Sequence, residues 1–360
     1  SQTKNTNWGQ FIPLVTVFFF WGFVAASNDI LIPVFKKAFD LSQGQSQFVS
    51  LAFYIAYTVG SIIYMIVSLI MGKDLINKLG YKNSLSLGLL ISALGTLLFI
   101  PAANLHSYPL MLSGLFTVAL GFSLQQTVAN PLAIALGDAK TGSQRLTLAG
   151  GINNLGTTIG PLIVVYAIFG SATEPSSDLS IDSVKIPYLC LGVAFLLVAI
   201  FLKFSSLPSH PEQEQENEQE QENGNVVKDR SSALKYPQLI LGMIAIFVYV
   251  GVEVSTASNL PAYMENELAF NVKQVAPYVS LYWASMMIGR WGGAAEAFGL
   301  EKSKTMLLKF VAPYLAFGIF LLVNKIAGHD LKPFYFYAVF ILVLIIADIS
   351  TKGNPAKMVL

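Results

Sequence analysis

The chain is predicted to be an all-α polytopic membrane protein, and three observations predict it. First, ten apolar stretches, 11–36, 47–71, 84–104, 108–136, 144–170, 185–206, 237–264, 274–299, 305–327 and 333–350, are each long enough to be a transmembrane helix. Second, 54% of residues are apolar and only 12% charged, against about 25% charged in soluble domains. Third, the charges are sorted. With a cytoplasmic N-terminus, Lys4, Lys73, Lys78, Lys82, Lys140, Arg145, Lys203, Lys228, Arg230, Lys235, Lys302 and Lys304 face the cytoplasm, while Lys36, Lys37, Lys185 and Lys273 face outward across the first eight spans. That asymmetry satisfies the positive-inside rule.

Span 11–36 reads FIPLVTVFFFWGFVAASNDILIPVF over 11–35, and Asn28-Asp29 is its only strongly polar break. A carboxylate near the bilayer centre costs about 2.5 to 3.5 kcal/mol on insertion scales. Asp29 is therefore a candidate for handling an ion, a proton or a polar substrate. A basic loop containing NKLGYK (77–82) joins the second and third spans. In the fourth, LQQTVANP (124–131) places Gln126 and Asn130 four residues apart on one helical face. Pro131 loosens the helix beside them, and amides offer both donors and an acceptor to a hydroxyl-rich ligand.

The fifth span carries RLTLAGGINNLG (145–156). Gly150, Gly151, Gly156 and Gly160 thin the helix so that another helix or a ligand can approach, and close helix packing alone would explain them; Asn153, between them, is a candidate pore-facing residue, and Arg145 is expected to face lipid phosphate or water. The sixth span holds the single cysteine, Cys190, which excludes an intramolecular disulfide and is expected to be a buried, inert thiol. Residues 207–235 contain a Glu/Gln/Asn tract without apolar periodicity, expected to be a disordered acidic linker in the cytoplasm. It divides the chain into 1–206 and 236–360.

On the seventh span Tyr249, Glu253, Thr256 and Asn259 or Leu260 form a polar stripe, with Glu253 a second intramembrane carboxylate. On the eighth, Tyr282 and Trp283 are placed to stack on a sugar ring or to meet lipid, and Arg290 to reach the interface or pair with an acid. Ser1 is not an initiator, and Met358-Val359-Leu360 begins another apolar run, so at least two further helices are expected beyond Leu360.

Soluble-enzyme motifs are missing: the chain has no HExxH, cysteine cluster, P-loop or GxSxG, and His106, His210 and His329 fall in loops. Neither catalysis nor ATP-driven transport by this chain alone is expected, and no cofactor or metal. A net charge of +1 makes no case for nucleic acid.

These segments together resemble the major facilitator superfamily, and within it the branch of fucose/galactose/glucose–proton symporters. The anchors are SNDILIPVF (27–35), NKLGYK (77–82), LQQTVANP (124–131), RLTLAGGINNLG (145–156), YVGVEVS (249–255) and IGRW (288–291). The resemblance implies two pseudo-symmetric six-helix bundles around a cavity open alternately to each side, with the second bundle incomplete here. Spans 305–327 and 333–350 look like an extra apolar pair that some members carry before their ninth core helix. The resemblance gives Asp29 the role of the first-helix acid that takes and releases the proton, and places Asn130 and Asn153 beside the sugar. It gives the 77–82 loop, with Asn77, Lys78, Gly80 and Lys82, a part in closing the cytoplasmic side. Fucose permeases of this branch carry Glu where this chain has Gln126, Gln where it has Gly150, and Gln where it has Glu253. The second acid is expected to have moved to the other bundle.

The expected function is transport of a hexose-type sugar across the cytoplasmic membrane by a monomer lying in the lipid bilayer, driven by proton symport. Asp29 and Glu253 would couple the proton. Asn28, Gln126, Asn130, Asn153, Tyr249, Glu253, Tyr282 and Trp283 would contact the sugar, and Arg290 would join the 77–82 loop in gating. The alternatives are a sodium-coupled or uncoupled carrier, and a membrane sensor that binds sugar without moving it.

Overall fold

The structure is a computed structural model and describes residues 6–71, 75–169, 184–209, 235–270 and 272–351. Residues 210–234 of the linker, and the side chains of Asn28, Asp29 and Asn77, lie outside the described residues. What is described is helical: α1 (Trp8–Ala38), α2 (Gln43–Met71), α3 (Leu75–Leu79), α4 (Tyr81–Leu97), α5 (Phe99–Asn104), α6 (Tyr108–Ala135), α7 (Gly142–Phe169), α8 (Lys185–Phe204), α9 (Pro237–Leu268), α10 (Val272–Gly293), α11 (Lys302–Ile326) and α12 (Tyr337–Ser350), with a short 3-10 turn at Ala295–Phe298. Eight of the described segments are long and apolar enough to cross a membrane. Helices α7 and α10 are not among them, and both are thinned by glycine and polar side chains.

Local chemistry sets the helix ends. The Asn7 side chain accepts from the Gln10 amide and starts α1, and Ser107 does the same for α6 with Pro109 in the first turn. The third predicted span is broken into α4 and α5 at Leu98, three residues before Pro101, whose missing N–H leaves the Leu97 carbonyl without a helix donor. Gly80, just before α4, has φ of 79°, and Gly299, just before α11, has φ of 60°. Both sit in the left-handed region that glycine tolerates best.

The chain forms two compact units, one of residues 1–211 with 284–360, the other of residues 212–283. In the first, α1 lies against α7, α4 against α6 and α8, and α2 against α6. Small residues make this possible, as expected where lipid supplies no hydrophobic drive between helices. A side chain at Gly22 would run into the Asn153 carbonyl, and one at Gly156 or Gly160 into the α1 backbone; Gly88, Gly95, Gly114 and Gly121 serve α4 and α6 in the same way. The core between these pairs is aromatic and aliphatic, with Phe18, Trp21, Phe53, Phe122 and Phe195 buried together.

Two expectations are corrected. Cys190 is exposed rather than buried, and lines an apolar groove with Phe20, Phe23 and Tyr188. Arg145 does not face lipid phosphate or water: it is fully buried. Its guanidinium donates to the carbonyls of Ala133 (3.1 Å), Ile134 and Asp138 (2.8 Å) and to the Thr141 hydroxyl (2.7 Å). The last carbonyls of a helix have no intrahelical donor. Arg145 supplies donors to those of α6 and so locks the α6–α7 turn.

Candidate functional site

Within the first unit, the adjacent glutamines of α6 point to different environments. Gln125 is fully buried; its carbonyl accepts from the Trp21 indole (3.0 Å) and its amide donates to Ser92 (3.0 Å). Ser92 in turn donates to the Val118 carbonyl. That chain is internally satisfied and structural. Gln126 and Asn130 are half-buried on the neighbouring face, as their spacing predicts. The Gln126 amide donates to the Tyr57 phenol of α2 at 3.4 Å. Pro131 follows directly and leaves the Thr127 carbonyl without its helix donor. Asn153, also half-buried, spends one amide hydrogen on the Phe18 carbonyl of α1 (3.0 Å).

In the second unit Glu253 is half-buried on α9. The Tyr282 phenol donates to its backbone carbonyl at 2.9 Å. The rings of Tyr282 and Trp283 meet edge to face, 5.4 Å apart. Tyr249 is largely exposed. The structure thus brings Glu253 and Tyr282 together, and keeps Trp283 in ring contact with Tyr282.

A third group lies in the first unit, where α7 is fastened to the end of α10 and the turn after it. Arg290 donates to the Asn154 side-chain oxygen (2.8 Å) and to the Gly150 carbonyl (3.2 Å). A Cβ at Gly151 would run into the Trp291 ring, and one at Gly150 would displace the Arg290 guanidinium. The Trp291 indole N–H is buried and, among the described residues, has no hydrogen-bond partner. Further along, Gln144 donates to Glu296 (3.3 Å), and Glu296 also meets Lys309 of α11 (3.4 Å), which pairs with Asp348 of α12 (3.0 Å). Thr6 donates to the Ala297 carbonyl (2.5 Å), and Trp8 stacks on Phe298 at 4.8 Å. Residues 144, 147, 151 and 154 lie on one face of α7 at helical spacing, so the contacts form a zipper.

Of the predicted loop residues, Lys82 donates to the Ser205 carbonyl at the end of α8 (2.5 Å), where a cation suits the helix C-terminus. Lys78 is exposed. In the loop after α11, burial pushes the His329 imidazole below the usual histidine value. Among the described residues no group of three or more His, Cys, Asp or Glu is placed to hold a metal.

Sequence reasoning missed Tyr57, Asn154, Glu296, Lys309 and Asp348 as members of these clusters. For Glu296 alone one signal was available: Asn77-x-x-Gly80 and Glu296-x-x-Gly299 share a spacing, and in the structure both glycines have positive φ before the next helix.

Comparison with known proteins gives consistent findings. The Major Facilitator Superfamily model matches residues 3–164 and 75–353. The glucose/galactose transporter of Brucella abortus is 36% identical over 319 residues, covering 88% of this chain and 74% of the relative. The putative glucose/galactose transporter of Helicobacter pylori J99 is 33% identical over 332 residues, covering 90% and 77%. The L-fucose-proton symporter of Escherichia coli is 29% identical over 299 residues, covering 79% and 66%. Among solved structures, FucP in the outward conformation matches with a TM-score of 0.62 at 25% identity, covering 88% of this chain and 82% of that one.

Proposed function

Because the chain belongs to the major facilitator superfamily and is therefore a multi-pass membrane transporter rather than an enzyme, we propose that it carries a hexose-type sugar across the cytoplasmic membrane by proton symport. The observation that carries the reading is the 36% identity, over most of both chains, to a glucose/galactose transporter. The half-buried amides of Gln126, Asn130 and Asn153 support it, because sugar hydroxyls need donors and acceptors together. Asn28, Tyr249, Glu253, Tyr282 and Trp283 are the further proposed sugar contacts. The likeness to an L-fucose-proton symporter supports coupling to protons; Asp29 and Glu253 are the proposed acids. A neutral Gln126 favours the second reading, a carrier coupled to sodium or to nothing.

The test is counterflow of labelled glucose in proteoliposomes of the full-length protein, with unlabelled hexoses as competitors. Saturable counterflow that glucose, galactose or fucose suppresses supports the reading. Counterflow absent for all three overturns it.

Alternating access requires a gate with two stable arrangements. In this reading the α7 zipper is that gate in its closed form, and the 77–82 loop a second gating element. The Trp291 indole supports this: an unsatisfied buried donor costs about 1–3 kcal/mol, a penalty that gate opening would relieve. Arg290→Met should raise the rate at which an impermeant thiol reagent labels a Thr147→Cys site, in a Cys190→Ser background, about tenfold; Arg290→Lys should raise it less, because an ammonium keeps the charge and N–H donors for the Asn154 and Gly150 oxygens while losing the planar guanidinium geometry. Equal labelling in all three proteins would remove Arg290 from the gate.

A further inference from the structure

We infer that Tyr57 contacts the substrate and fixes the amide of Gln126, so that the two side chains act together as one hydroxyl-recognising element. The inference rests on the sugar reading above. Tyr57 lies in the apolar second span, and its backbone is tied to α6. Its carbonyl accepts from the hydroxyls of both Ser61 and Ser123, each at 2.9 Å, and those two hydroxyls are 3.1 Å apart. Gly60 lets this turn of α2 lie directly on Ser123. The Tyr57 ring is set edge to face against Phe53 (5.5 Å), and Phe53 against Phe122 of α6 (6.1 Å). These contacts fix the Tyr57 backbone against α6 and set its ring against Phe53.

The direction of the hydrogen bond decides what the pair can do. Gln126 donates its N–H to the Tyr57 oxygen, so the phenol O–H is not used on Gln126. Among the described residues it meets no other acceptor, so it is available as a donor, beside the Gln126 carbonyl as an acceptor and its second N–H. Both side chains are half-buried. A carboxylate at 126 would instead accept the phenol proton and leave no donor for a ligand. The neutral amide turns the phenol proton outward. One element of the protein thus presents O–H, C=O and N–H together, the set that recognises a particular hydroxyl of a sugar ring.

The experiment measures equilibrium binding of glucose and its monodeoxy series to the purified full-length protein. The wild type should bind one monodeoxy sugar about tenfold more weakly than glucose, the size of one hydrogen bond. Tyr57→Phe should weaken glucose binding about tenfold and abolish the penalty for that one sugar, while its unfolding midpoint without sugar stays unchanged. A purely structural role would lower the midpoint and weaken all the sugars alike. If Tyr57→Phe does not fold, Gln126→Leu reads the same element and should lose the same position-specific penalty. Undiminished glucose affinity, or deoxy penalties that all persist, would overturn the inference. A wild type that binds no hexose would overturn the sugar reading itself.

Discussion

Asp29→Asn should abolish uphill accumulation of sugar in energised vesicles while leaving exchange of labelled for unlabelled sugar largely intact. Coupling is a difference in stability between two states, not a chemical step. Protonation of Asp29 would neutralise a charge inside the span and lower the cost of passing from one open state to the other. Asparagine is permanently neutral, so the variant can change state but cannot be driven by pH. Accumulation should fall from many-fold to a ratio near one. Glu253→Gln separates two versions of the account: if the acids share the proton, it loses accumulation too; if Asp29 acts alone, accumulation survives. Full pH-driven uptake by the Asp29→Asn variant would remove Asp29 from coupling.

Arg145→Ala should have the largest effect on stability. The guanidinium is fully buried and serves three backbone carbonyls and one hydroxyl. Each buried polar group left unsatisfied costs about 1–3 kcal/mol, so losing the set removes several kcal/mol, a large share of a typical folding free energy. Arg145→Lys should recover only part, because an ammonium cannot reproduce the planar fork. Detergent-solubilised protein should show a strongly lowered unfolding midpoint or little folded material. A variant that folds with an unchanged midpoint would show that the α6–α7 turn does not depend on this residue.

Much of the fold was legible because bilayer-spanning helices announce themselves by length and hydropathy. Polar breaks marked Gln126, Asn130 and Asn153, and all three lie half-buried on their helices. The chain could not separate Gln125 from Gln126. They are neighbours in sequence, and only packing against Trp21 and Ser92 makes one structural while the other meets Tyr57. Nor could it foresee the burial of Arg145, whose partners are carbonyls that become acceptors only once α6 has ended. The zipper was illegible for a different reason: Gln144 and Glu296, or Asn154 and Arg290, are brought together by tertiary packing that no local pattern encodes.

The central claim is that sugar and protons move together. The direct measurement is external pH around proteoliposomes of the full-length protein when a hexose is added outside, with no imposed ion gradient. Symport predicts a sugar-dependent alkalinisation, saturable in hexose and absent from Asp29→Asn. Hexose uptake with no pH change would contradict it.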